Sequence, residues 1–401
     1  MAERDDKARL LLAALDAYDV KFADELMLRM TPAEVNEVGP DGRTPLLRAV
    51  DLGSYALVER VVDRGGDLTF QGADGRDALA LAWHWHETGA EAELRRRTGA
   101  TGPVERGRVE ARFGGASEEL TLDGVTVRDG HSTIATYLEP DYGITRTFDE
   151  LLARALAEPD TDRGIWDATT YAVYEHHGLA AWDMAVALHD RPDPLERYFG
   201  AEVLRFIVIA DRFKEVDEDD ESPYDTPLVD LFLPWLERET DRRVIRALTA
   251  GLSNARDPRA DEPLLALSRS ADADTRSWAL SGLCYPVTAN CPEAVAAVVE
   301  RLGDEDPRVR QAAVAAFMWG PAERSPVIAD ALAERLTDDD LDVRAMAAVR
   351  LALRDDPRGD EVIAGLDPAD EETGIRWGLL DLSAYRRRRA EEAGAGAAAE
   401  G

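Results

Sequence analysis

Asp306-Pro307-Arg308-Val309-Arg310 and Asp340-Leu341-Asp342-Val343-Arg344 set out one pattern twice, 34 residues apart: an acidic start, an apolar residue three places on, and an arginine at the fourth. Working outward, Asp starts recur at 160, 193, 241, 272, 306 and 340, spaced 33, 48, 31, 34 and 34. An apolar or aromatic residue follows eleven places after each start: Tyr171, Leu204, Leu252, Leu283, Phe317 and Leu351. An aspartate accepts hydrogen bonds from the free amides of a helix's first turn, so each start reads as an N-cap opening a small-residue-rich helix. A second helix follows, ending Glu-Arg-Leu at 300–302 and again at 334–336. Units of this length bury their apolar faces only against neighbours, which predicts a stacked array. The copies at 160 and 241 are weak, with Gly164 and Ile245 at the arginine position.

The Asp-x-x-Val-Arg signature at a fixed period resembles HEAT repeats, the helical hairpins of α-solenoids. The resemblance implies about six hairpins across residues 138–385, whose second helices, roughly 179–189, 227–239, 260–268, 291–302 and 325–336, line one extended face.

A different repeat precedes this one. Residues 41–73 open with Asp41-Gly42-Arg43, which returns as Asp74-Gly75-Arg76, a period of 33. Thr44 can cap a helix whose first turn tolerates Pro45, Gly53 separates it from a second helix around Leu57–Val62, and Gly65-Gly66-Asp67 ends the unit. This resembles ankyrin repeats. Two short apolar-periodic segments, 8–17 and 20–30, read as an N-terminal cap. The unit from Asp74 is degenerate, with Asp77-Ala78 for Thr-Pro and Trp83-His84-Trp85-His86 where small residues are usual. About three ankyrin-like units therefore fill residues 1–104.

Between the arrays, in 105–137, Arg108–Phe113 and Leu120–Val127 alternate apolar with polar residues around Asp123-Gly124, which predicts a small antiparallel ribbon. Such a ribbon is too small to stand alone and should pack on the last ankyrin-like unit or on helices beginning near His131 and Thr147. Gly114-Gly115 permits a hinge, and the Ala/Gly/Glu-rich end, 386–401, reads as a disordered tail. The fold class expected is mainly α: ankyrin-like repeats, a β insertion, then a HEAT-like α-solenoid. The 48-residue spacing is explained by an insertion at 215–225, EVDEDDESPYD, a solvated acidic loop. As a calcium loop it lacks the glycine at its sixth position, which is Ser222, and the carboxylate at its twelfth, which is Leu228.

With 401 residues the chain exceeds one ordinary domain, and 47 Lys+Arg against 80 Asp+Glu give a formal charge of −33. Nucleic acid and anionic membrane surfaces need basic side chains to neutralise them, so both are excluded as expected partners, while a basic protein is favoured. Two cysteines, Cys284 and Cys291, neither staple a secreted fold nor complete a zinc site. No secretory leader and no apolar run of about 18 residues is present, so a cytoplasmic protein is expected. Only Lys7, Lys21 and Lys214 are lysines. That bias fits GC-rich codon usage or adaptation to high salt, and a salt-adapted chain should lose stability in dilute buffer.

The six histidines, at 84, 86, 131, 176, 177 and 189, lack the i, i+4 spacing that converges two imidazoles on one ion, so no metal and no cofactor is expected. HEAT-built di-iron hydroxylases carry repeated His-Glu pairs, whereas this chain has only His86-Glu87, and no Walker or GxSxG motif occurs. Arg128-Asp129-Gly130-His131-Ser132 reads as a strand-to-helix turn, with Gly130 at the bend and Asp129 or Ser132 capping. No catalytic residue is assigned, and the chain is read as non-enzymatic. Trp166, Trp278 and Trp319 fall on first helices and read as core, whereas Trp83, Trp85, Trp182 and Trp235, with Asp183, are the candidate partner-binding residues, because aromatic anchors dominate interfaces. The Asp/Arg pairs 193/197, 272/276, 306/310 and 340/344 read as structural ladders. The reading is an adaptor for a protein or basic peptide. The alternative is a small-molecule-binding enzyme or accessory protein of a biosynthetic pathway, marked by a closed apolar pocket near Trp83, Trp85 and His131. A chaperone or immunity role is not separable from the first reading.

Overall fold

The Asp starts can be followed one at a time in the computed structural model, which describes residues 2–110, 115–214, 222–317, 325–366 and 375–399. Asp241, Asp272, Asp306 and Asp340 each cap a helix, accepting from the amides of Arg243, Thr275, Arg308 and Val343. Asp193 does the same for Leu195, at the head of helix Pro194–Lys214. Leu204, Leu252, Leu283, Phe317 and Leu351, eleven places on, are all buried. The copy at 160 does not share this register. Its helix begins at Gly164, Tyr171 is 49% exposed, and the Asp160 carboxylate is held by Arg108 at 2.6 Å rather than by a helix start.

The chain forms two compact units, Met1–Phe206 and Ile207–Gly401, dividing within helix Pro194–Lys214. That division differs from the boundaries 1–104, 105–137 and 138–385 read from sequence.

In the second unit the arginine of the signature explains why the repeats stack. Arg276 Nη1 donates to the carbonyls of Ser270 and Ala271, just before its own cap, while Nε and Nη2 fork onto Asp304 at 3.0 and 2.8 Å. Arg310 repeats this with Asp304 and Glu305 carbonyls and the Asp338 carboxylate at 2.9 and 2.7 Å. The inter-repeat partner is therefore the aspartate two residues before the next cap, not the capping aspartate of the pairs read from sequence. A second tie uses Asp-Pro-Arg turns: Arg259, Arg308 and Arg358 each fork onto the aspartate two places before and reach an earlier helix at Asp230, Asp274 and Asp330. Burial alone raises the Asp304 carboxyl, but the Arg276 fork and the Asp306 amide outweigh it and hold it below the usual range. Because Asp304 keeps its contact with Arg301 at 3.3 Å when Arg276 is lost, Arg276→Met should cost about 2 kcal/mol in chemical denaturation. A change below 0.5 kcal/mol, roughly the scatter of surface substitutions, would count against the lock.

The end of the chain corrects one expectation. Residues 386–399, read as a disordered tail, lie within helix Ile375–Ala399. Trp319, Phe113, Gly114 and residues 215–221 of the acidic insertion lie outside the described residues.

In the first unit the 33-residue period is geometric as well as textual. The Gly39 amide donates to Arg43 O and that of Gly42 to Gly39 O, and Gly72, Arg76 and Gly75 reproduce both bonds. Gly42 and Gly75 sit at φ +77° and +76°. Thr44 caps helix Pro45–Asp51, and Asp77 does the same work for helix Ala78–Thr88. Three antiparallel strands follow, β1 (Glu105–Glu110), β2 (Ala116–Leu122) and β3 (Val125–Arg128), ordered β1-β2-β3. Asp123 and Gly124, both at positive φ, make the tight β2–β3 turn. One apolar core runs from Leu11 through Leu46, Val58, Trp85, Leu120 and Val127 to Leu138, so the sheet and helix His131–Leu138 belong to the same packed body as the 33-residue repeats.

Candidate functional site

Where the sheet meets the repeats, a polar cluster is buried inside this core. Asp51, at the end of helix Pro45–Asp51, accepts from Trp85 Nε1 at 2.9 Å and Arg97 Nη2 at 2.7 Å, and pairs with Arg43 at 2.6 Å. Glu93 is fully buried and takes Arg97 at 2.8 Å and Arg96 at 2.6 Å. The Trp85 indole stacks on the His131 imidazole at 4.8 Å, nearly parallel, and the Arg97 guanidinium lies 4.4 Å from the same ring.

The electrostatics of this cluster follow from who is paired. Hydrogen bonds from Arg96, then from Arg97, hold the Glu93 carboxyl down at about 2 against the opposing effect of burial. Burial pushes His131 down to about 3, assisted by the nearby Arg97 charge, so the imidazole is neutral at physiological pH. A histidine kept neutral in the fold and protonated when unfolded contributes stability above its unfolded value of 6.5, lost as the pH falls toward 3. Glu93, depressed in the fold, contributes above 4.5 and loses that contribution toward 2. Stability should therefore decline below pH 6.5 in denaturant titrations, and His131→Phe, which keeps the stacked ring, should flatten the upper part of that decline. An unaltered slope between pH 6.5 and 4.5 would exclude His131 as its source.

Beside the cluster lies a cavity of about 250 Å3. His86, the turn residues Asp129, Gly130, Ser132 and Thr133, Arg154, Glu158, Arg163 and the start of helix Gly164–His177 line it, together with Ala116 of β2 and Ala157. Asp129 accepts from the Glu118 amide at 2.8 Å on one oxygen and from Arg163 on the other. Contrary to the sequence expectation, neither it nor Ser132 caps helix His131–Leu138: Gly130 stands at the cap position and offers no side chain. The Arg154 guanidinium is held by the fully buried Glu139 at 3.0 Å and by Thr136 Oγ1 at 2.7 Å, and lies 4.9 Å from the Trp83 ring. Burial first, and then the Arg154 charge, lower His86 from its usual value.

The structure separates the tryptophans chosen from sequence. Trp85 and Trp235 are each 1% exposed. Both are core, Trp85 through its bond to Asp51 and Trp235 through an edge contact with Phe232 at 5.7 Å, which corrects their assignment as surface anchors. Trp83 is half-buried against Arg154 and His86. Trp182 is half-buried, and Asp183 beside it is exposed, as are Leu179 and Met184. Trp166 is buried and Trp278 half-buried. Sequence reasoning gave no role to Asp51, Glu93, Arg97 or Arg154, which stand 46 residues apart or lie on ordinary helix faces. Only the fold brings them together. The adjacent His176 and His177 both point ring nitrogens at the Arg146 backbone, at 3.0 and 3.1 Å, a structural clamp at a helix end. Among the described residues no group of three His, Cys, Asp or Glu side chains is arranged to hold a metal ion, and no helix is long and apolar enough to cross a membrane.

The fold defines a mainly helical repeat protein with a small three-stranded antiparallel sheet. Residues 262–354, within the second unit, match the family of HEAT repeats. Among solved structures, the chain is similar to the X-ray structure of Escherichia coli YibA at 17% identity, over 56% of this chain and 79% of that one, with a TM-score of 0.42. It is also similar to an engineered protein at 16% identity, over 94% of this chain and 98% of that one, with a TM-score of 0.39. No curated protein matches.

Proposed function

We propose that this protein is a non-enzymatic adaptor in which an ankyrin-like array precedes the HEAT repeats, and in which an acidic repeat surface receives a protein or basic peptide. The observation that carries the reading is how the arginines are used. Arg259, Arg276, Arg308, Arg310 and Arg358 are tied into turns and locks between helices. Each of these arginines is paired with carboxylates, and the formal charge of −33 means that acidic side chains remain in excess over all the basic ones. A surface of that sign speeds encounter with a basic partner and gives a salt-sensitive on-rate. The aromatic part of the site is Trp182 with exposed Asp183, Leu179 and Met184, and half-buried Trp83 is a second anchor.

Affinity capture on the tagged protein at about 50 and about 500 mM salt, either side of strong Debye screening, tests this. One stoichiometric basic protein, lost at high salt and weakened about tenfold or more by Trp182→Ala, is the expected result. Retention indifferent to salt would remove the electrostatic part, and unchanged affinity in Trp182→Ala the aromatic part.

The cavity beside His86 and Arg154 favours a second reading, a small-molecule-binding enzyme or accessory protein of a biosynthetic pathway. Its lining mixes arginines, carboxylates and hydroxyls with apolar surface, unlike the closed apolar pocket expected near Trp83, Trp85 and His131.

A further inference from the structure

The acceptors and donors around the 250 Å3 cavity are out of balance. The acceptors are in use: both Asp129 oxygens are bonded, to the Glu118 amide and to Arg163. Glu158 accepts from the Asp160 amide at 3.0 Å on one oxygen, and the other lies 3.6 Å from Arg163 Nε. The donors are not. Helix His131–Leu138 makes its first backbone bond at Ile134, to Gly130 O, and no side chain caps it, so the Ser132 and Thr133 amides have no acceptor among the described residues. Helix Gly164–His177 starts at the same cavity, also without a side-chain cap, and Ile165 lines the wall. Thr133 provides a separate sign: it is 5% exposed, it lines the cavity, and its hydroxyl has no hydrogen-bond partner among the described residues. Arg154, already bonded to Glu139 and Thr136, Arg163, already bonded to Asp129, and His86 complete the lining.

The first-turn amides of a helix are donors without intrahelical acceptors, and two helix N-termini add positive partial charge to the same space. We propose that this cavity binds a small oxyanion, received by the first-turn amides and the Thr133 hydroxyl. The cavity, about 250 Å3, has room for inorganic phosphate, sulfate or a short carboxylate. The inference is independent of the adaptor reading, since a basic partner meets the acidic exterior and not this cavity.

The test is isothermal titration calorimetry on the full chain with inorganic phosphate, sulfate, acetate and propionate at matched ionic strength, because such salts also stabilise proteins without binding. Saturable 1:1 binding with Kd below about 1 mM is expected for at least one of them. Preference for phosphate and sulfate identifies a tetrahedral ligand, and preference for the carboxylates a planar one. Thr133→Val, which removes the hydroxyl at constant shape, should weaken binding about three- to tenfold. Ala157→Phe closes the mouth at an exposed helix-end position, and should abolish binding while leaving the ligand-free unfolding midpoint unchanged. No saturable heat with any of the four, or equal binding in wild type and Ala157→Phe, overturns the proposal. Both results remain decisive even if Thr133→Val fails to fold.

Discussion

Gly53→Ala is expected to remove about 4 kcal/mol or more from the stability of the first unit, a loss reserved for substitutions that break a packed backbone contact. Gly53 sits at φ +65°, and a β-carbon there would stand 1.8 Å from the Arg128 carbonyl oxygen and 2.7 Å from His131 Cε1. No rotamer relieves a clash between backbones. The loop and the end of β3 would have to part, giving up the Arg128 amide bond to Leu52 O and the Tyr18 hydroxyl that links Leu52 O with Thr126 O. Gly42→Ala is the control: φ is +77° but nothing lies within 4 Å, so only the left-handed backbone is penalised, by about 1–2 kcal/mol. Urea unfolding of both variants followed by tryptophan fluorescence decides the matter. Equal losses would mean that the sheet is not docked on this loop.

Asp51→Asn should cost about 3 kcal/mol, because it leaves the Arg43 and Arg97 guanidinium groups without their shared carboxylate in a largely buried setting. Asparagine keeps an oxygen for Trp85 Nε1, so the variant isolates charge from shape. Adding Arg43→Gln should recover part of the loss, since Arg97 still has Glu93 while Arg43 is left with only a 3.9 Å contact to Asp41. If Asp51→Asn loses under about 1 kcal/mol, the cluster behaves as a solvated surface pair instead.

What was legible in the sequence was periodic. Capping aspartates and the apolar residues eleven places on report local helix geometry, and the five later copies from Asp193 to Asp340 are buried where the spacing put them. The same signal failed at Asp160, because a neighbouring strand supplied Arg108 as a competing partner, and strand partners leave no trace in a helical period. The Asp123-Gly124 turn was readable because its backbone requires those residue types. The Asp51–Trp85–Arg97 cluster and the cavity were not, being made by contacts between segments 34 and 46 residues apart or more, each ordinary on its own helix. Trp85 and Trp235 mark the limit of composition: a large aromatic is as much at home in a core as on an interface, and here the core claimed both.

The forked arginines also give the second unit a temporal order. Arg276 leaves the ribosome 28 residues ahead of Asp304, and Arg310 the same distance ahead of Asp338. At about 5–20 residues per second, each newly made hairpin waits on the order of a few seconds for the carboxylate that locks it. Each repeat is thus completed by its successor, and synthesis of the array closes its locks one after another from the N-terminal side.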